Sequence, residues 1–142
     1  MSVGKAFPPY EELDHTADLC LRVRGASLQE FFVHAAQGMF SLMRFVRIRE
    51  GNPVRERFQL QAPDTETLLV DWLSELLFLS EEREALFQSF HFSELTPGRL
   101  EAVVEGKEGY LPQRGIKAVT FFDLRIQRSS DNVYEAMITF DV

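Results

Sequence analysis

The sequence predicts an α+β fold, a mixed β-sheet sandwich of six to seven strands with two main helices packed on a sheet face. Three observations predict it. Several segments alternate apolar and polar residues with a period of two, the mark of half-buried strands. Two segments repeat apolar residues at three-four spacing, as amphipathic helices do. Regular βαβ alternation is missing, and so are GxGxxG and GxxxxGK[ST], so neither a dinucleotide fold nor a P-loop is indicated.

The first strand is "DLCLRVR", residues 18–24, with Leu19, Leu21 and Val23 on one face and Asp18, Cys20, Arg22 and Arg24 on the other. Gly25 stops it. Ser27 caps a helix and Glu30 completes a capping box. Leu28, Phe31, Phe32, Ala35, Ala36, Met39, Phe40 and Met43 then form one broad apolar face. After a "GNP" turn, "VRERFQLQA" alternates again, although charged Glu56 breaks its register. Asp64 or Thr65 caps the second helix, whose apolar breadth predicts burial around much of its circumference, with Trp72 in the core. Strands are expected at 86–94, 99–105, 114–128 and 132–141, separated by turns at "TPG", "GKEG" and "SSDN".

The 142 residues fit one domain, 1–142, and a 45% hydrophobic fraction with thirteen Phe supports a sizeable core. A net charge of −7 argues against a basic surface that grips RNA or DNA unaided, so no direct high-affinity nucleic acid binding is expected. An acidic protein still suits a basic protein partner. The single Cys20 excludes an internal disulfide and any multi-cysteine zinc site. The absence of a signal-like start or a membrane-length apolar run predicts a cytoplasmic protein.

Polar chemistry concentrates in "LDHTADLCL", where Asp14 and Asp18 flank His15 and Thr16 at the mouth of a strand. Two readings stand: a loop whose side chains cap backbone amides, or oxygen ligands for a hard divalent cation. Two aspartates cannot complete such a site. "YEAMITFDV" carries strand alternation to Val142, so Asp141 and the Val142 α-carboxylate are a second oxygen source, or else an ordinary edge strand that frays. Asp71 and Glu75 are i and i+4 on the apolar second helix. They line a solvent stripe, answer a cation such as Lys117, or face a partner. "IKAVTFFDL" reads as a central strand, with Lys117 either solvated or anchoring an acid. His34, His91 and Cys20 read as structural. No HExxH or GxSxG motif suggests hydrolysis.

Taken in order, "YEELDHTADLCLRVRG", "SLQEFFVHAAQGMF", "LLVDWLSELLFL", "IKAVTFFDL" and the terminal "FDV" resemble the archease family, from about residue 10 to the last residue. The resemblance implies an archease-like fold and an accessory protein rather than a free-standing enzyme. Its role would be to activate an RtcB-type RNA ligase in tRNA splicing and RNA repair, promoting ligase guanylylation and multiple turnover. It also implies a metal site of Asp18, Asp141 and Val142, with Ca²⁺ first and Mg²⁺ or Mn²⁺ as alternatives. Asp14, His15, Asp71, Glu75 and Lys117 would support that site or contact the partner. Phe121 and Phe122 depart from the family, where Tyr-His often follows this motif. The alternatives are a metal-dependent phosphohydrolase with His15 as its base, or a metal-independent chaperone-like binding module.

Overall fold

The computed structural model describes residues 7–13 and 18–142, and the statements below concern those residues. β1 (Tyr10–Leu13), which no clear alternation announces, lies antiparallel to β2 (Leu19–Gly25), the predicted first strand. α1 (Leu28–Met43) begins at the predicted Ser27 cap, but Glu30 reaches the N–H one residue before the cap rather than the cap's own, so the box is displaced by one residue. The Ser27 hydroxyl accepts the Glu30 N–H at 3.1 Å, and the Glu30 carboxylate accepts the Ala26 N–H at 2.9 Å. The first bond satisfies a helix-start donor that would otherwise lack a partner. β3 (Phe45–Arg47) and β4 (Pro53–Gln61) follow, then α2 (Thr65–Arg83), whose Asp64 cap accepts the Thr67 N–H at 2.7 Å. β5 (Ala85–Thr96), β6 (Arg99–Glu108), β7 (Tyr110–Pro112), β8 (Ala118–Thr120), β9 (Gln127–Arg128) and β10 (Tyr134–Asp141) complete the chain.

The strands form three sheets among the described residues. One has the order β1-β2-β10-β8, with β9 also paired to β10. The second is β4-β6-β5, and β3 with β7 makes a short ribbon. The α+β class holds, but every pairing is antiparallel, so the sheets are not mixed. Hairpins and returning strands link them, and neither helix serves as a crossover between parallel neighbours. The ten strands exceed the expected six to seven because β1, β3, β7 and β9 are only two to four residues long. Such segments are too brief for periodicity to register.

Both helices lie between the two larger sheets. α1 packs on β1, β2 and β10 and also on β5; α2 packs on β4 and β5 and also on β8. The inward residues Leu21, Val23, Ala136, Ile138 and Phe140 meet this helical layer. Trp72 is fully buried among Phe32, Phe58, Phe90 and Phe92, and its indole N–H donates to the Phe32 carbonyl at 3.0 Å. That bond removes the cost of burying the indole nitrogen unpaired.

Two sequence expectations are corrected. The segment 114–128 is not one central strand. Only Ala118–Thr120 and, further on, Gln127–Arg128 pair, both along β10; between them the Thr120 hydroxyl accepts the Phe122 N–H at 3.2 Å and Asp123 turns the chain at φ 53°. "GKEG" does not turn as a unit either. Gly106, Lys107 and Glu108 continue β6, and Gly109 alone turns, at φ 96°.

Candidate functional site

The outer face of the first sheet brings the two ends of the described chain together. β10 pairs with β2 from Tyr134↔Gly25 to Phe140↔Leu19. The last pair leaves Asp141 and Asp18 as the next residues, and one further step of the same register would set them opposite each other. Facing residues of an antiparallel ladder have Cβ atoms about 4.5–5.5 Å apart. Phe140 is fully buried on the inner face, so alternation puts Asp141 on the outer one, beside Thr139 and Cys20. Asp18 is half-buried and Asp141 exposed. Two carboxylates at such a spacing would repel, and a shared divalent cation would relieve that repulsion.

β8 supports the other side of Asp141. Ala118 pairs with Asp141, Val119 with Phe140 and Thr120 with Thr139. The Lys117 N–H donates to the Asp141 carbonyl at 2.7 Å, which occupies that main-chain oxygen and leaves the Asp141 carboxylate for other work. The exposed Val142 follows directly and adds backbone oxygen. This donor set is of the type a hard cation prefers. It is incomplete by itself, since no group of three or more His, Cys, Asp or Glu is gathered for a metal among the described residues. The remaining oxygens would come from Val142, water, a partner, or residues outside the description.

The other candidates divide. Asp14 and His15 lie outside the described residues. Asp71 and Glu75 are half-buried on α2, Lys117 is exposed, and among the described residues none of the three side chains makes an ion pair. His34 Nδ1 donates to the Arg24 carbonyl at 2.6 Å, tying α1 to β2. His91 contacts the Ser89 hydroxyl on an exposed strand face, and Cys20 is buried. His34 and Cys20 fit structural roles, whereas His91 is an exposed surface side chain.

A charge ladder on the same outer face was not foreseen. Arg22 lies 3.1 Å from Glu11 and 3.6 Å from Glu135, while Arg24 lies 3.6 Å from Glu11 and 3.4 Å from Glu135. The available signal was the outward pair Arg22 and Arg24, but their acids come from β1 and β10. The ladder ties the three strands together just beyond the carboxylates.

Comparisons with known proteins agree with this architecture. The model of the archease protein family matches residues 10–142. The protein archease of Methanosarcina barkeri is 38% identical over 141 residues, covering 94% of this chain and 95% of that protein. That of Thermococcus gammatolerans is 33% identical over 140 residues, covering 94% and 98%. The solution structure of Methanobacterium thermoautotrophicum protein 1598 superposes with a TM-score of 0.66 at 28% identity, covering 94% of this chain and 99% of that one. A Thermotoga maritima crystal structure, described as "an archease, possible chaperone", shares the fold, with a TM-score of 0.67 at 17% identity and 98% coverage of both chains.

Proposed function

Because the chain belongs to the archease family, we propose that it is a non-enzymatic accessory protein that activates an RtcB-type RNA ligase, promoting its guanylylation and multiple turnover. The observation that supports the metal site is the β2–β10 register, whose last pair, Phe140↔Leu19, leaves Asp141 and Asp18 as the next residues on the two chains. Asp18, Asp141 and a Val142 oxygen would hold the divalent cation, with Ca²⁺ first and Mg²⁺ or Mn²⁺ as alternatives. When bound, such an ion supplies positive charge of the kind that nucleotidyl transfer uses. The chain itself ends the β2–β10 pairing next to the two carboxylates, fixes the Asp141 main chain through Lys117, and leaves Asp141 exposed and Asp18 half-buried. A net charge of −7 suits a ligase whose RNA channel is basic, and it disfavours direct RNA binding.

No helix among the described residues is long and apolar enough to cross a membrane. A cytoplasmic partner enzyme is consistent with that. The chaperone-like reading draws on the words attached to the Thermotoga structure and on exposed aromatic side chains. The phosphohydrolase reading needs His15, which lies outside the described residues.

The test is multiple-turnover RNA ligation by the same organism's RtcB-type ligase with catalytic amounts of this protein. Stimulation that is lost in folded Asp18→Asn and with EDTA supports the reading. Stimulation that survives both would sink the metal-presenting role and favour the chaperone-like module.

A further inference from the structure

β10 has a gap in its pairing on the edge away from β2. On that side β8 pairs with Thr139, Phe140 and Asp141, and β9 pairs with Tyr134 and Glu135, so Ala136, Met137 and Ile138 are paired only with β2. Residues of an antiparallel strand turn their main-chain groups to its two sides alternately. The Val133 carbonyl, just before β10, accepts the Ser129 N–H at 2.9 Å, and the Asp141 carbonyl accepts the Lys117 N–H at 2.7 Å. Both bonds lie on this side, so the odd-numbered residues face it and Met137 directs its N–H and C=O into the gap. Neither group has a main-chain partner there among the described residues. A recess of about 280 Å³ occupies the place, with Arg125 and Met137 in its walls.

The segment that joins β8 to β9 already matches the gap. β9 pairs Gln127 with Glu135, and the same register carried on would set Ile126 opposite Ala136, Arg125 opposite Met137 and Leu124 opposite Ile138. The faces agree, because Leu124 and Ile126 pack on the core as Ala136 and Ile138 do, while Arg125 and Met137 are exposed. Carrying the β8 register forward instead would set Asp123 opposite Ala136 on the core face, and burying a carboxylate there is unfavourable. Glu66, in the first turn of α2, accepts the Ile126 N–H at 3.1 Å. With Arg125 turned toward Met137, Ile126 turns its main chain the other way, so Glu66 holds the segment from the side away from β10.

We propose that Leu124–Ile126 is a strap that closes onto β10, and that Glu66 is the tether that keeps it open. Closing gives up the Glu66–Ile126 bond and forms two others, Arg125 N–H to the Met137 carbonyl and Met137 N–H to the Arg125 carbonyl. It lengthens β9 from two residues to Leu124–Arg128, fills the recess and leaves Phe121–Asp123 as the connecting loop. The edge of the first sheet then runs unbroken from Tyr134 to Asp141. The inference is independent of the ligase reading above.

The experiment is amide hydrogen exchange followed by NMR on wild type, Glu66→Ala and Glu66→Gln, with the Glu135 amide, which β9 already pairs, as the internal reference. In wild type the Arg125 and Met137 amides should exchange at least about tenfold faster than that of Glu135. Glu66→Ala should slow both by about tenfold or more. It should also bring Hα contacts between Leu124 and Ile138 and between Ile126 and Ala136, the close non-hydrogen-bonded pairs of this register. Glu66→Gln keeps a carbonyl acceptor and should behave as wild type. Arg125 and Met137 amides that stay fast in Glu66→Ala overturn the proposal. Equal slowing in both variants would trace the effect to the lost helix-start charge and also overturn it. So would wild-type amides already as slow as that of Glu135, which place the closed strap beside an intact tether, or closure in the other register, seen as contacts between Phe121 and Ile138.

Discussion

Lys117 donates its main-chain N–H to the main-chain carbonyl of Asp141 at 2.7 Å. The side chain of Lys117 is exposed and makes no ion pair among the described residues, so its structural contribution to the site comes through the backbone. Two substitutions separate these roles. Lys117→Ala keeps the donor and should leave Ca²⁺ affinity, measured by calorimetry, unchanged or slightly raised, because a nearby positive charge is removed. Lys117→Pro deletes the donor, a bond worth about 0.5–1.5 kcal/mol. It should weaken Ca²⁺ binding and lower the thermal midpoint. Equal affinities for the two variants would show that this bond does not position Asp141.

The facing carboxylates predict a change of sign with metal. In metal-free protein, Asp18→Asn or Asp141→Asn relieves like-charge repulsion across the ladder and should raise the thermal midpoint slightly. With Ca²⁺ at 100 times its dissociation constant, wild type should gain about 2.7 kcal/mol by linkage, and either variant should gain much less. Calorimetric titration should show each substitution weakening Ca²⁺ binding by about tenfold or more, equivalent to ~1.4 kcal/mol. The double variant should lose less than the sum, since both groups serve one ion. Additive losses, or no midpoint shift on adding Ca²⁺ to wild type, would show that the two aspartates do not share a site.

Glu56, which interrupts the apolar register of β4, faces inward and meets Arg83 at the end of α2; Arg83 also lies 3.3 Å from Glu108 of β6. One guanidinium therefore neutralises two partly buried carboxylates. Arg83→Met should cost about 1–3 kcal/mol in urea unfolding, because it leaves both acids without a partner. Adding Glu56→Leu should recover part of that loss, as one of the stranded charges is then gone. A neutral Arg83→Met would mean that water satisfies both carboxylates.

That ion pair marks the boundary of what was legible in the chain. Ser27, Glu30 and Asp64 announced both helix starts because a cap acts on an N–H only two or three residues away. Trp72 was readable as core from its helix's apolar breadth. Glu56 looked like an error in a strand because its partner comes from α2. The 114–128 segment looked like a continuous strand because its alternation is real at Ala118–Thr120. What ends that strand is the Thr120 hydroxyl competing for the Phe122 N–H, which a hydrophobic pattern does not encode. Asp18 and Asp141 were each recognisable as candidates, but their apposition depends on strand order between opposite ends of the chain. Periodicity carries no information about that order.

The Asp64 cap makes a prediction in pH. Its carboxylate accepts the Thr67 N–H at 2.7 Å, and bonds from the Thr67 backbone and side chain hold its pKa below the ordinary aspartate value. In the unfolded chain those bonds are gone and the pKa returns to about 3.9. A carboxyl with a depressed folded pKa contributes stability that is complete above the unfolded value and is lost as pH falls through the folded one. Asp64→Ser keeps a hydroxyl cap but removes the titration. Thermal midpoints of wild type and Asp64→Ser should therefore differ most near neutral pH, with wild type higher. The gap should stay constant down to about pH 5 and close as pH drops below about 3.9. A gap that persists to pH 2 would mean that the aspartate stabilises α2 by geometry alone, without the charge that its N-terminal position favours.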